Sequence, residues 1–114
     1  GADAILIGLP EYNFGPSALA KNAIDWLTRP LGRHALRGKI VALMTSGGGG
    51  GGSQVQGSIG PILTLLGNTM VDEPVVQVVQ GAQRLSGDGE TDDAEIVDLV
   101  TAKMSAVLAA LQVR

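Results

Sequence analysis

Three short aliphatic runs, each followed by a stretch whose apolar residues recur at helical spacing, leave this chain few folds to choose from. The runs are residues 4–9 (AILIGL), 39–44 (KIVALM) and 75–79 (VVQVV). The first is unbroken and closed by Pro10, which suits a strand covered on both faces, as in a parallel sheet; the other two read as strands by their length and β-branched content. Ser17 can cap the first helix, whose apolar positions are Leu19, Ala23, Trp26 and Leu27 and which Pro30 stops. A second helix is marked by Val55, Ile59, Ile62, Leu63 and Leu66; Gly57, Gly60 and Pro61 suggest a kink, and Gly67 supplies a stop. The third opens at Asp92, with Glu95 three residues on, and buries Val100, Met104, Val107, Leu108 and Leu111. Strand, helix, strand, helix, strand, helix, joined by connections long enough for parallel crossovers, predicts a three-layer α/β/α architecture with a parallel sheet.

Composition narrows the chemistry. At 114 residues and 45% apolar content the chain fits one small folding unit, not two and not a disordered segment. A formal charge of −3 is the wrong sign for nucleic acid or an anionic membrane, so neither is expected as a partner. No run approaches the roughly 18 apolar residues that span a bilayer, and a cytoplasmic location is expected. Cysteine is absent, which excludes disulfides and thiolate chemistry, and a single His argues against a zinc site. No metal ligands and no catalytic dyad or triad are expected, so redox chemistry here would have to belong to a cofactor. Charge is segregated: residues 21–39 hold five Lys/Arg and one Asp, residues 72–98 eight acids and one Arg. Two solvated faces are the simple reading, with a basic rim that attracts an anionic ligand as the alternative.

In an open parallel sheet, ligands bind beyond the carboxyl ends of the strands. Pro10, Glu11, Tyr12 and Asn13 follow the first strand; Thr45, Ser46 and six consecutive glycines, residues 47–52, follow the second. Together they offer an aromatic ring, an amide, hydroxyls and a row of backbone N–H groups with no Cβ in the way, a set suited to a flat, hydrogen-bonding heterocycle. His34 is read as a solvent-facing loop residue, Trp26 as a packing residue within the chain or across a subunit contact, and Met44 and Met104 as core.

These residues carry a resemblance. The string P-E-Y-N, followed after a short Gly/Pro/Ser segment by L-A-K-N-A-I-D-W-L-T-R-P, resembles the NAD(P)H-dependent FMN reductases, flavodoxin-like enzymes that include quinone and chromate reductases. Ser46 with the glycine run is similar to that family's serine and Gly-rich loop, with Ser46, Gly48, Gly51 and Gly52 on recurrent positions and Gly50 where relatives carry a side chain. The resemblance implies a parallel flavodoxin-like sheet and a cofactor site of Pro10, Glu11, Tyr12, Asn13, Ser46, Gly47 and Gly48. It also implies FMN with NADPH or NADH, a small-molecule electron acceptor (quinone, metal oxyanion or flavin), and homodimers or homotetramers. Members begin with a strand and a G-S-x-R-type phosphate loop that this sequence does not contain. Residues 1–114 therefore read as a single partial domain, strands 3 to 5 of the family, truncated at the N-terminus and impaired or inactive alone. A flavodoxin-like electron carrier and a non-catalytic associating fragment remain the alternatives.

Overall fold

The computed structural model describes residues 1–113. In chain order it contains β1 (Ala4–Tyr12), β2 (Gly15–Pro16), α1 (Ala18–Leu27), β3 (Ile40–Ser46) and α2 (Ser53–Leu65). Then follow β4 (Thr69–Met70), β5 (Val76–Val78), α3 (Gly81–Arg84) and α4 (Ala94–Gln112). The expected parallel α/β sheet is present, with β3 at its centre: β1 runs parallel along one side, and β4 and β5 pair parallel with it along the other. β3 takes the centre because it is apolar on both faces. Val41 and Leu43 pack with Val55, Ile59 and Leu63 of α2, whereas Ile40 and Ala42 pack with Val107 of α4. β1 alternates in the same way, with Ile5, Ile7 and Leu9 toward the α2 side and Ala4 toward α4.

The first strand is longer than the sequence predicts. It continues through Pro10, Glu11 and Tyr12, because Glu11 and Tyr12 pair antiparallel with Pro16 and Gly15 of β2. This hairpin occupies only the tip of β1; among the described residues, the edge from Ala4 to Pro10 that faces away from β3 has no strand partner. The third strand is shorter, three residues rather than five, and is preceded by the unanticipated β4.

The helices separate local from tertiary control. Ser17 caps α1 as expected, its Oγ accepting the Ala20 N–H at 3.1 Å. The buried face is not the expected one: Ile24 and, just past the helix, Thr28 face inward, while Leu19, Trp26 and Leu27 are exposed. α2 buries Val55, Ile59 and Leu63 as its periodicity predicts, and Gly67 follows at φ +96° in the left-handed conformation of a helix stop. His34 is not solvent-facing. It is buried over the end of α2, its Nε2 3.0 Å from the Leu66 carbonyl, one of the acceptors a helix C-terminus leaves open.

α4 is capped one residue later than expected. Asp93, not Asp92, accepts the N–H groups of Glu95 and Ile96, at 3.1 and 3.3 Å. Arg84 chooses between the neighbouring acids: its guanidinium bonds both Asp93 carboxylate oxygens, at 2.9 and 3.1 Å, and so ties α3 to the start of α4. Arg84 and the helix-end N–H groups hold the Asp93 carboxyl below its ordinary 3.8. A carboxyl depressed by folding stabilises the fold above its unfolded pKa and loses that contribution as pH falls through the folded value. Unfolding titrations should therefore show an acid-limb loss below pH 3.8 that Asp93→Asn lacks. Farther along α4, Ile96 and Val107 are buried, but Met104 and Leu108 are exposed and Lys103 is 1% exposed in their stead.

Candidate functional site

Parallel register carries the two candidate segments to one place. Ala4 pairs with Ile40 and the match continues in step to Pro10 opposite Ser46, so Tyr12, Asn13 and the glycine run emerge together at the carboxyl end of the sheet. Contact between them is direct. A Cβ at Gly47 would lie 3.4 Å from Glu11 Cβ and 3.5 Å from Glu11 Oε2.

The glycine run divides into a fixed part and a free part. Gly47 donates its N–H to the Val78 carbonyl at 3.2 Å and accepts from Gly81, and the Gly48 carbonyl accepts the Gln80 N–H at 2.9 Å. Ser46 to Gly48 therefore prolong the β3–β5 ladder, and the Gly47 N–H, read from the sequence as free for a ligand, is already used. At the far end, Thr45 Oγ1 donates to the Gly51 carbonyl at 2.7 Å, and Gln56 Nε2 donates to both Thr45 Oγ1 and the Val76 carbonyl. Gly51 and Gly52 have positive φ, and a Cβ on either would strike Gln77 or Thr45 within 3 Å. Between these anchors, Gly48 and Gly49 have nothing within 4 Å of a Cβ position. Among the described residues, their N–H groups have no intramolecular acceptor.

Below Pro10 and Ser46, on the α4 side, lies an apolar cavity of about 400 Å³ lined by Gly8, Met44, Val78 and Ile96 among others. Tyr12, 61% exposed, lines a second, apolar cavity of about 470 Å³ between β1 and α1, and in the Asn13–Phe14 turn that follows it both residues have positive φ (51° and 64°). Glu11 Oε1 is buried with no partner in the described chain.

Sequence reasoning missed two parts of this site. Gln80, with φ +52°, and Gly81 follow β5 and seat the glycine loop through the bonds above. A Cβ at Gly81 would fall 1.8 Å from Ser46 Oγ, so any side chain there would force Ser46 into another rotamer. The rule that points to residues after each strand applies equally to Val79-Gln80-Gly81. Phe14, two positions past Tyr12, was also passed over.

Residues 1–83 match the family model described as NADPH-dependent FMN reductase. The chain belongs to the NADPH-dependent FMN reductase family. It is 36% identical to an NADPH:quinone oxidoreductase of Arabidopsis thaliana over 97% of this chain and 55% of that protein. It is 35% identical to a quinone reductase of Escherichia coli over 92% and 56%, and 29% identical to an NAD(P)H-dependent FMN reductase of Pseudomonas aeruginosa over 93% and 57%. Among solved structures, the flavoenzyme NAD(P)H:(acceptor) oxidoreductase FerB of Paracoccus denitrificans superposes with a TM-score of 0.74 at 31% identity, covering 93% of this chain and 59% of that one. The α/β arrangement is thus the flavodoxin-like one expected from the resemblance. The chain spans about half the length of the curated relatives it matches. Among the described residues, no helix is long and apolar enough to cross a membrane, and no cluster of three or more His, Asp or Glu is placed to hold a metal ion.

Proposed function

We propose that this FMN reductase family member belongs to an NAD(P)H-dependent, FMN-containing oxidoreductase acting on a small acceptor, with a quinone the favoured class. The net reaction is NAD(P)H + H⁺ + quinone giving NAD(P)⁺ and hydroquinone, and bound FMN supplies the redox chemistry. The observation that carries the reading is the pair of unclaimed N–H groups at Gly48 and Gly49, bare of side chains, at the same carboxyl end of the sheet as Tyr12 and Asn13. N–H groups held by a rigid frame stabilise negative charge that gathers on a ring edge during reduction, without having to reorganise. Thr45, Gln56, Gln80 and Gly81 provide that frame. In this reading Gly48 and Gly49 face the polar edge of the ring. Tyr12 and Asn13 bound its face, while Pro10, Glu11, Ser46 and Gly47 shape the floor. No side chain is assigned a proton-transfer role.

Tyr12→Ala and Asn13→Ala should each weaken FMN binding about tenfold, the order expected for one lost stacking or hydrogen-bonding contact. Lys21→Ala, which alters an exposed intrahelical ion pair, should leave it unchanged. Flavin absorbance titration reads all three, and equal effects at the three positions would move the site elsewhere. Steady-state NADPH oxidation at saturating FMN tests the activity itself; FMN binding without NADPH oxidation would favour an electron carrier. Association into dimers or tetramers, and a cytoplasmic setting, are part of the same proposal.

A further inference from the structure

We infer that Phe14 is the ring on which the planar, conjugated electron acceptor stacks, and hence a specificity-determining residue; this rests on the function proposed above. The core of the protein is wholly aliphatic. Its one Tyr, one Trp and one Phe are all exposed, Phe14 the most at 81% and Trp26 at 73%. An exposed apolar ring alone means little. Phe14 is set apart by its backbone, since at φ +64° it occupies the left-handed region, where a bulky side chain is a true outlier. Two-residue hairpin turns with positive φ at both central positions ordinarily use Asn-Gly, so Asn13 suits its place and Phe14 does not. The ring belongs to none of the apolar clusters, so packing does not compensate for the conformation. Strain kept without a structural use points to a functional one.

The fold also holds the ring in a relevant position. β2, immediately after Phe14, pairs back on Glu11 and Tyr12 and packs against α2, whose N-terminus is the end of the glycine run. The turn therefore leaves the same carboxyl end of the sheet as the glycine run, and an apolar ring with no hydrogen-bonding group recognises a planar partner by stacking. That matches the quinones named for the plant and bacterial relatives.

The test compares Phe14→Gly and Phe14→Tyr with the unsubstituted protein at saturating FMN and NADPH. Glycine should raise the KM for a soluble naphthoquinone about tenfold, as one lost stack would, with the effect confined to KM. Tyrosine, which keeps the ring, should retain the original KM. Reduction of ferricyanide, which has no ring to stack, should respond far less to either change. The glycine variant should melt no lower than the parent, because glycine suits φ +64°. A readout independent of turnover exists because Phe14 is the only phenylalanine: 4-fluorophenylalanine gives a single ¹⁹F resonance, which the naphthoquinone should shift and ferricyanide should not. An unchanged quinone KM, equal losses with both acceptors, or an unmoved resonance would overturn the inference. So would a lower mass in solution for Phe14→Gly, which would assign the ring to contact between copies. If the unsubstituted protein does not couple NADPH oxidation to quinone reduction, the proposed function fails first and this inference with it.

Discussion

Gly52→Ala should lower stability by roughly 2–5 kcal/mol, combining about 1–2 for a side chain in the left-handed region with about 1–3 for a clash that packing cannot absorb. The clash is specific: the new Cβ would lie 2.4 Å from Thr45 Cβ and 2.6 Å from Thr45 Oγ1, at φ +86°. Thr45 cannot move aside, because it is buried and its hydroxyl bridges Gly51 and Gln56. Gly48→Ala, four residues earlier in the same run, meets nothing within 4 Å and lacks positive φ. It should change stability by no more than about 1 kcal/mol, mostly through the unfolded chain. Urea denaturation of the two variants separates them; equal losses would mean that the run is a flexible linker without a fixed end.

Lys103→Met should cost about 2–5 kcal/mol, because buried carbonyls lose a charged donor while the desolvation cost of the ammonium is relieved. The Lys103 ammonium is buried and donates to three backbone carbonyls, Val71 at 2.7 Å, Asp72 at 2.8 Å and Pro74 at 2.9 Å. It thereby fastens α4 to the connection between β4 and β5. Methionine nearly matches its volume but leaves those acceptors without a donor, and an unmet buried acceptor costs about 1–3 kcal/mol. Burial lowers the Lys103 pKa below 10.5, a shift that the charges of Asp72 and Glu73 oppose. In the window between the folded value and 10.5, the unfolded chain binds more protons than the folded one. Stability from this group therefore rises with pH there. The gap between parent and Lys103→Met should widen as pH climbs toward 10.5, and a gap that narrows would show that Lys103 is not desolvated.

Local rules made much of the framework legible. Short aliphatic runs became β1 and β3, Ser17 capped α1, the apolar spacing of α2 buried Val55, Ile59 and Leu63, and Gly67 ended that helix. Each depends on residues a few positions apart, which is the range over which period and capping operate. Reading the residues at each strand's end also brought Tyr12, Asn13 and Ser46 to one end of the sheet, because parallel pairing forces strand ends to coincide.

What was hidden depends on partners distant in the chain. Spacing offers Trp26 for packing within the chain or across a subunit contact; within the chain Ile24 is the side chain turned inward instead, because the position of the sheet, not the helix alone, selects the buried stripe. His34 looks like a surface residue until the Leu66 carbonyl, 32 residues away, is brought alongside, and Lys103 meets the Val71 carbonyl across the same separation. The extension of β1 through Glu11 and Tyr12 arises only from pairing with the two residues of β2. In the glycine run, six identical residues carry no internal signal. Tertiary contacts with Thr45, Gln77, Val78 and Gly81 decide which of them are locked and which are left open, because steric demand and hydrogen-bond satisfaction belong to the assembled neighbourhood and not to the residue.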